Sequence, residues 1–177
     1  CASLGKLTID YADRLKEAGL GRYHHNLETS EKFFHNICTT HDYAERISTI
    51  KIAIDAGFEV CSGGIFGLGE TWDDRVQLAL TLRELGVTSI PLNFLNPITG
   101  TPFGENKLLL PLEALRIIAI FRLIHPKQEI LIGGGQEVVL RDIQSWIYYA
   151  GASGIMIGNY LTTTGRPPEE KLQIIKD

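Results

Sequence analysis

Two cysteines are the residues of this chain whose type and position favour metal chemistry. Cys61 ends a predicted apolar strand and is followed at once by a glycine-rich segment, and Cys1 stands in the same way before a predicted helix start. Thiolates are soft ligands that suit zinc and iron–sulfur clusters. Two thiols at the ends of two strands therefore favour a single metal centre. The alternative is that each cysteine is a small buried hydrophobe, which is the commoner role of an isolated cysteine between apolar neighbours.

Polar residues also follow one predicted strand end after another. In a parallel α/β fold, functional groups gather where strands end and βα loops begin. Any one such residue is most often only solvated, but their recurrence at successive strands favours a shared site. The residues concerned are Asn26, Glu28, Asn93, Gln136, Thr162 and Thr163.

Glycine-rich turns and paired histidines leave other interpretations open. The run Gly63 to Gly69 lets backbone approach a flat ligand closely, because glycine has no Cβ. Gly133 to Gly135 before a helix is typical of a phosphate-binding turn, but no lysine and hydroxyl complete a P-loop. The adjacent His24 and His25 are a weak zinc pair, since they lack i, i+2 spacing and a third ligand.

Helical and strand-like periodicities alternate along the chain. The predicted helices cover 8–18, 42–56, 71–85, 112–124 and 138–150, and the predicted strands cover 22–27, 58–65, 89–95, 129–132 and 154–157. Such alternation predicts parallel βαβ units in a single domain over residues 1–177. About five units are whole, whereas a closed (β/α)8 barrel takes about 250 residues. We therefore expect a partial α/β barrel of the TIM type, with further units before Cys1.

Composition limits the class of protein. The 177 residues are 44% hydrophobic and carry a net charge of -4, so a buried core is expected and nucleic acid is not an expected partner. No apolar run approaches the roughly 18 residues that would indicate a membrane span, and the N-terminus lacks a signal pattern. Three cysteines do not resemble a disulfide framework. We expect a cytoplasmic protein with a small-molecule substrate.

The string CSGGIFGLGET, with YHHNLETS before it and PLNFLNPITGTP after it, resembles the biotin synthase family of radical S-adenosylmethionine (SAM) enzymes. The resemblance covers nearly the whole chain. It implies the C-terminal part of a radical SAM (β/α)8 barrel, because the CxxxCxxC motif that holds the family's [4Fe-4S] cluster is missing from this sequence. We accordingly expect the chain alone to be inactive.

The same resemblance implies an activity in biotin biosynthesis. In this family a radical derived from SAM removes hydrogen from dethiobiotin, and an auxiliary iron–sulfur cluster, [2Fe-2S] or of another nuclearity, donates the inserted sulfur. An electron donor of the flavodoxin or ferredoxin type and a homodimeric state are also implied.

Individual roles are carried over by position. The resemblance implies that Cys1 and Cys61 are ligands of the auxiliary cluster and act in catalysis, with a third cysteine before residue 1. It implies SAM binding by Asn26, Glu28, Arg46 and the backbone of Ile65, and dethiobiotin binding by Asn26, Asn93, Thr162 and Thr163. Gln136 departs from the family, which has an arginine ligand there in its best-known members. Cys38 matches no family ligand, and we expect it in a loop or in the core.

Two rival interpretations remain at this point. A related radical SAM mutase or hydrogenase-maturation enzyme would share the SAM-binding turns, although the combination of Cys1 and Cys61 argues against it. A metal-independent barrel lyase, or a non-catalytic scaffold, would use its cysteines as core. A CxxxCxxC motif before residue 1 would exclude the lyase.

Overall fold

The structure, a computed structural model, describes residues 1–160 and 164–176, apart from the side chain of Ile175. Its helices are α1 (Ile9–Glu17), α2 (Glu31–Phe34), α3 (Tyr43–Asp55), α4 (Trp72–Leu85), α5 (Pro111–Ile124), α6 (Gln136–Leu140), α7 (Trp146–Ala150) and α8 (Pro168–Lys176). Its strands are β1 (Arg22–His24), β2 (Glu59–Cys61), β3 (Gly64–Phe66), β4 (Ser89–Phe94), β5 (Glu129–Ile132) and β6 (Gly154–Ile155).

Local sequence signals set several helix ends. The side chains of Asp42 and Thr71 accept hydrogen bonds from backbone N–H groups in the first turns of α3 and α4. In each case the carboxylate three residues further on accepts a hydrogen bond from the backbone N–H of the capping residue. Such capping boxes satisfy donors that a helix start would otherwise leave unpaired. Gly86 ends α4 in the left-handed conformation that glycine adopts without steric cost.

The chain divides into two compact units. Unit 1 comprises residues 1–64 and 70–91, and unit 2 comprises residues 65–69 and 92–177. In unit 1, β1 and β2 are parallel and pair His24 with Cys61, and β2 continues to the start of β4 by pairing Cys61 with Ser89. Ala2 forms a parallel bridge to Tyr23. The tip of a strand expected near Cys1 is therefore present as a single bridge.

Unit 2 contains the second half of β4 with β5 and β6. Phe94 donates its backbone N–H to the Gly134 carbonyl at 2.9 Å, and β5 pairs in parallel with β6. Phe66 and Phe121 meet edge to face in the core, with ring centroids 5.4 Å apart. Aromatic edge-to-face pairs add to the stabilisation from burial. This packing fixes α5 under the sheet of unit 2.

Four elements differ from the sequence-based expectation. The strand predicted over 58–65 is interrupted between β2 and β3, and the helix predicted over 138–150 is divided by a 3-10 turn at Arg141–Ile143. Arg141 has φ +51°, a conformation that no α-helix accommodates. Neither α2 nor α8 was predicted from the sequence.

Across the described residues, helices long and apolar enough to cross a membrane are absent.

Candidate functional site

Cys61 lies at the end of β2 and is buried, with 8% of its surface exposed. Its register partner on β1 is His24, whose Nδ1 lies 3.3 Å from the Cys61 Sγ. Burial lowers the pKa of His24, so the imidazole is neutral at physiological pH. The thiol therefore has an uncharged hydrogen-bonding group beside its sulfur.

Cys1 shares a sheet face with Cys61. Because Ala2 pairs with Tyr23 and Tyr23 with Val60, Cys1 is in register with Glu59, two residues before Cys61. Side chains in register, and those two residues apart, point to the same side of a sheet. Cys1 is exposed. Within the described part of the chain, no group of three or more His, Cys, Asp or Glu side chains is placed to hold a metal ion.

Asn26, Glu28 and Arg46 are brought together in unit 1. Arg46 donates from Nη1 to the Asn26 carbonyl at 2.7 Å and forms an ion pair with Glu28 at 3.7 Å. Burial raises the pKa of Glu28, while Arg46 and the Asn26 side chain oppose that rise. The Nε of Arg46 is buried and has no hydrogen-bond partner in the described structure. This cluster can therefore accept a ligand with a further acceptor, such as a carboxylate.

The glycines after Cys61 are required by close backbone approach. A Cβ on Gly63 would lie 1.9 Å from the Pro91 carbonyl oxygen, and one on Gly64 would lie 2.4 Å from the Glu28 carbonyl oxygen. Gly63 also donates its N–H to the Asn26 Oδ1 at 3.0 Å. The turn thus fixes both the Asn26 side chain and the backbone of Glu28, which has φ +71°.

Glu70 ends this turn and forms a buried ion pair. Arg75 donates from Nε to Glu70 at 2.8 Å, and its guanidinium lies over the Trp72 ring at 4.4 Å. A buried pair of this kind holds a loop in one conformation, because removing either partner leaves the other charge unpaired. Glu70 accordingly braces the turn.

Unit 2 contains a cavity of about 680 Å³ beside the end of β4. Ile65 and Asn93 line it, with a predominantly apolar surround that includes Phe94, Leu95 and Met156. Asn93 accepts the Gly134 N–H at 2.8 Å through Oδ1. An apolar cavity of this size with a few placed polar groups is typical of a site for a small organic ligand.

Gln136, at the start of α6, is fully buried and its amide is engaged at both ends. Its Nε2 donates to the Met156 carbonyl at 3.1 Å, and its Oε1 accepts from Lys171 Nζ at 3.1 Å. The predicted substrate ligands Thr162 and Thr163 lie outside the described residues. Cys38 lies in the loop between α2 and α3, as expected, with its Sγ 3.3 Å from His41 Nδ1.

Sequence reasoning missed two contributors. The pairing of His24 with Cys61 requires the register of β1 on β2, which no sequence pattern gives. Lys171 occupies a buried position although it lies in the charged stretch Glu169-Glu170-Lys171. Such a stretch is normally a solvated helix face, so no signal pointed to it.

Comparisons with known proteins identify the family to which the chain belongs. Residues 1–82 match the family model described as the Radical SAM superfamily, and residues 91–177 match the Biotin and Thiamin Synthesis associated domain. The chain is 61% identical to a biotin synthase of Syntrophus aciditrophicus, covering 94% of this chain and 51% of that protein. It is 60% identical to a biotin synthase of Geobacter metallireducens, covering 99% of this chain and 53% of that protein.

Among solved structures, methylornithine synthase matches with a TM-score of 0.77 and 19% identity, over 98% of this chain and 56% of that chain. This likeness shows the fold, which is a parallel α/β sheet of the barrel class. At about 60% identity over nearly its whole length, the chain belongs to the biotin synthase family. It spans about half the length of the curated relatives it matches.

Proposed function

We propose that the complete protein carrying this chain is a biotin synthase, which inserts sulfur into dethiobiotin by radical SAM chemistry. The observation that carries this proposal is the buried Cys61 at the end of β2, with Cys1 on the same sheet face. Cys1 is in register with Glu59, so across two steps from strand to strand it is offset from Cys61 by two residues. In an eight-stranded barrel of shear eight, the stagger is one residue per strand, which amounts to an offset of the same size over two steps. An iron–sulfur cluster held by both thiolates is consistent with that offset.

The chemistry of the donor groups fits the implied cofactors. Cys1 and Cys61 would hold the auxiliary cluster, to which soft thiolates are suited. Asn26, Glu28 and Arg46 would hold SAM, because the unpartnered Nε of Arg46 and the partly paired carboxylate of Glu28 offer one donor and one acceptor. The backbone of Ile65 would contact its adenine. When bound, SAM would supply a radical that removes hydrogen from carbon, and the auxiliary cluster would supply the sulfur that replaces it.

The protein's own contribution is to bind and to exclude water. Asn93, fixed by its bond to Gly134, would present its amide to the ring of dethiobiotin in the cavity of unit 2. The family resemblance also assigns dethiobiotin binding to Asn26, and binding of the carboxylate tail to Thr162 and Thr163. Apolar walls protect a reactive intermediate from side reactions, which is the usual task of a protein around a cofactor of this kind.

The remaining assignments rest on the family resemblance. We propose residues 1–177 as part of one barrel domain, with a [4Fe-4S] cluster held outside this sequence. We further propose a cytoplasmic homodimer that receives electrons from a flavodoxin- or ferredoxin-type donor. The family relationship supports these assignments over a mutase, a hydrogenase-maturation enzyme or a metal-independent lyase.

Replacing Cys61 tests the assignment of the two clusters. In the complete protein, Cys61→Ala should lower biotin formation at least about 100-fold, because loss of a metal ligand exceeds the cost typical of outer-shell partners. SAM cleavage should persist, since the radical starts at the other cluster. The measurement is 5'-deoxyadenosine and biotin in the same reaction, after anaerobic reconstitution.

Cys38→Ala is the matched control, because Cys38 is a second thiol of unit 1 and lies in the loop between α2 and α3 rather than at the end of a strand. It should leave both products unchanged. Parallel loss of 5'-deoxyadenosine and biotin in Cys61→Ala, or loss of biotin in Cys38→Ala, would contradict the assignment.

A further inference from the structure

Lys171, on α8, is a buried lysine with a complete set of partners in unit 2. Only 1% of its surface is exposed. Its Nζ lies 2.5 Å from Glu137 Oε1, donates to Gln144 Oε1 at 2.5 Å and donates to Gln136 Oε1 at 3.1 Å. An ammonium group is buried at such a position only when it is paired and hydrogen-bonded, because its desolvation is costly. Lys171 therefore joins α8 to the start of α6.

Gln136 connects Lys171 to two walls of the cavity. It directly follows the glycine turn that ends in Gly135, and its Nε2 donates to the carbonyl of Met156. Gly134, Gly135 and Met156 all line the cavity that also contains Asn93. A Cβ on Gly135 would lie 1.8 Å from the Phe94 carbonyl oxygen, so the turn has no freedom to move towards β4. The orientation of the Gln136 amide thus sets the separation of the two walls.

The charges around Gln136 explain why a neutral side chain stands there. Glu137 faces two cations, since it pairs with Lys171 and with Arg166 at 2.9 Å. Although burial favours its neutral form, hydrogen bonds from Lys171 and Gln144 lower the pKa of Glu137. Because Gln136 Oε1 lies 3.1 Å from the Lys171 Nζ, a third cation at position 136 would come close to the Lys171 ammonium. Like charges at that distance in a buried site repel strongly.

We propose that Lys171 is a positioning residue for the substrate cavity and that positions 136 and 171 are coupled, so that an arginine at 136 is tolerated only when the ammonium at 171 is removed. The positioning half of this inference rests on the proposed function, because the ligand of the cavity is taken as dethiobiotin. The coupling half rests on the contacts alone.

A double-mutant cycle tests the coupling in the complete protein. The urea midpoint is measured for the native protein, for Gln136→Arg, for Lys171→Gln and for the double variant. We expect Gln136→Arg to lower the midpoint. We expect the loss of midpoint in the double variant to be smaller than the sum of the losses in the two single variants. Additive losses would overturn the coupling. The cycle needs no turnover, so it decides the point even if the proposed function fails.

Steady-state kinetics with dethiobiotin test the positioning role. Lys171→Met should raise KM on the order of tenfold with little change in kcat, because displaced walls remove binding that the ground state and the transition state share. Lys171→Arg, which keeps the charge and donors, should restore KM. Lys176→Met changes an exposed lysine of the same helix and should leave KM unchanged. An unchanged KM in a folded Lys171→Met protein would overturn the role, as would equal effects of the two methionine variants.

Discussion

At the scale of single residues, the site is made of side chains whose neighbours fix their state. The pKa of His25 is lowered to about 4, first by burial and then by Arg46 and two other histidines, so this imidazole stays neutral beside the Arg46 cation. His24 is neutral for the same first reason. Two neutral imidazoles leave Arg46 as the cation that pairs with Glu28. The unpartnered Nε of Arg46 thereby remains available as a donor to an anionic group.

Gln136 is the residue at which this chain departs from the arginine of the resemblance. Its amide oxygen and nitrogen are both committed to protein partners, and a neutral amide binds iron weakly. We therefore expect the auxiliary cluster to differ from the arginine-ligated type. We also expect Mössbauer spectra of the anaerobically reconstituted protein to be the same for the native form and Gln136→Leu.

The structure sharpens an expectation that the sequence supplied only in part. The sequence shows that glutamine replaces the family's arginine at position 136, and the structure adds that both ends of its amide are hydrogen-bonded, to Lys171 and to Met156. A change in isomer shift or quadrupole splitting in Gln136→Leu would show that Gln136 is a ligand after all. Cys61→Ala is the control in which the auxiliary signal should be lost.

At the scale of secondary-structure elements, the break between β2 and β3 shapes the site. Periodicity predicted one strand over 58–65, because the apolar run continues through Cys61 to Ile65. In the structure the N–H of Gly63 turns to Asn26 Oδ1, so the ladder is interrupted there. A local sequence pattern cannot show that a side chain at a distant strand end accepts this N–H. The helix α8 was missed for a related reason, since the buried Lys171 anchors it through contacts with residues distant in the chain.

Gly63→Ala should destabilise the protein by at least about 2 kcal/mol, because its Cβ would need to overlap the Pro91 carbonyl and an overpacked backbone can relax only by moving. Gly21→Ala is the matched control, since no atom lies within 4 Å of a Cβ at that position. Urea unfolding of both variants measures the difference. Equal stabilities would show that the turn yields without cost and does not fix Asn26.

At the scale of the whole molecule, the sequence was sufficient for the fold class and for the family. Alternating periodicities predicted parallel βαβ units, and the structure has parallel strands in both units. The residues around Cys61 and the glycine turn carried the resemblance from which the chemistry was inferred. The sequence could not give register, and hence the contacts of His24, Arg46 and Lys171, since register depends on packing between residues distant in the chain.

The most direct test of the central claim is the origin of the sulfur in the product. The complete protein, reconstituted anaerobically with isotopically heavy sulfide in its auxiliary cluster, is mixed with SAM, a reductant and dethiobiotin, and the mass of the biotin formed is measured. Because Cys1 and Cys61 are proposed to hold the cluster that supplies the inserted atom, we expect biotin that carries heavy sulfur. Biotin with only light sulfur, or no biotin from a protein that cleaves SAM, would contradict the account.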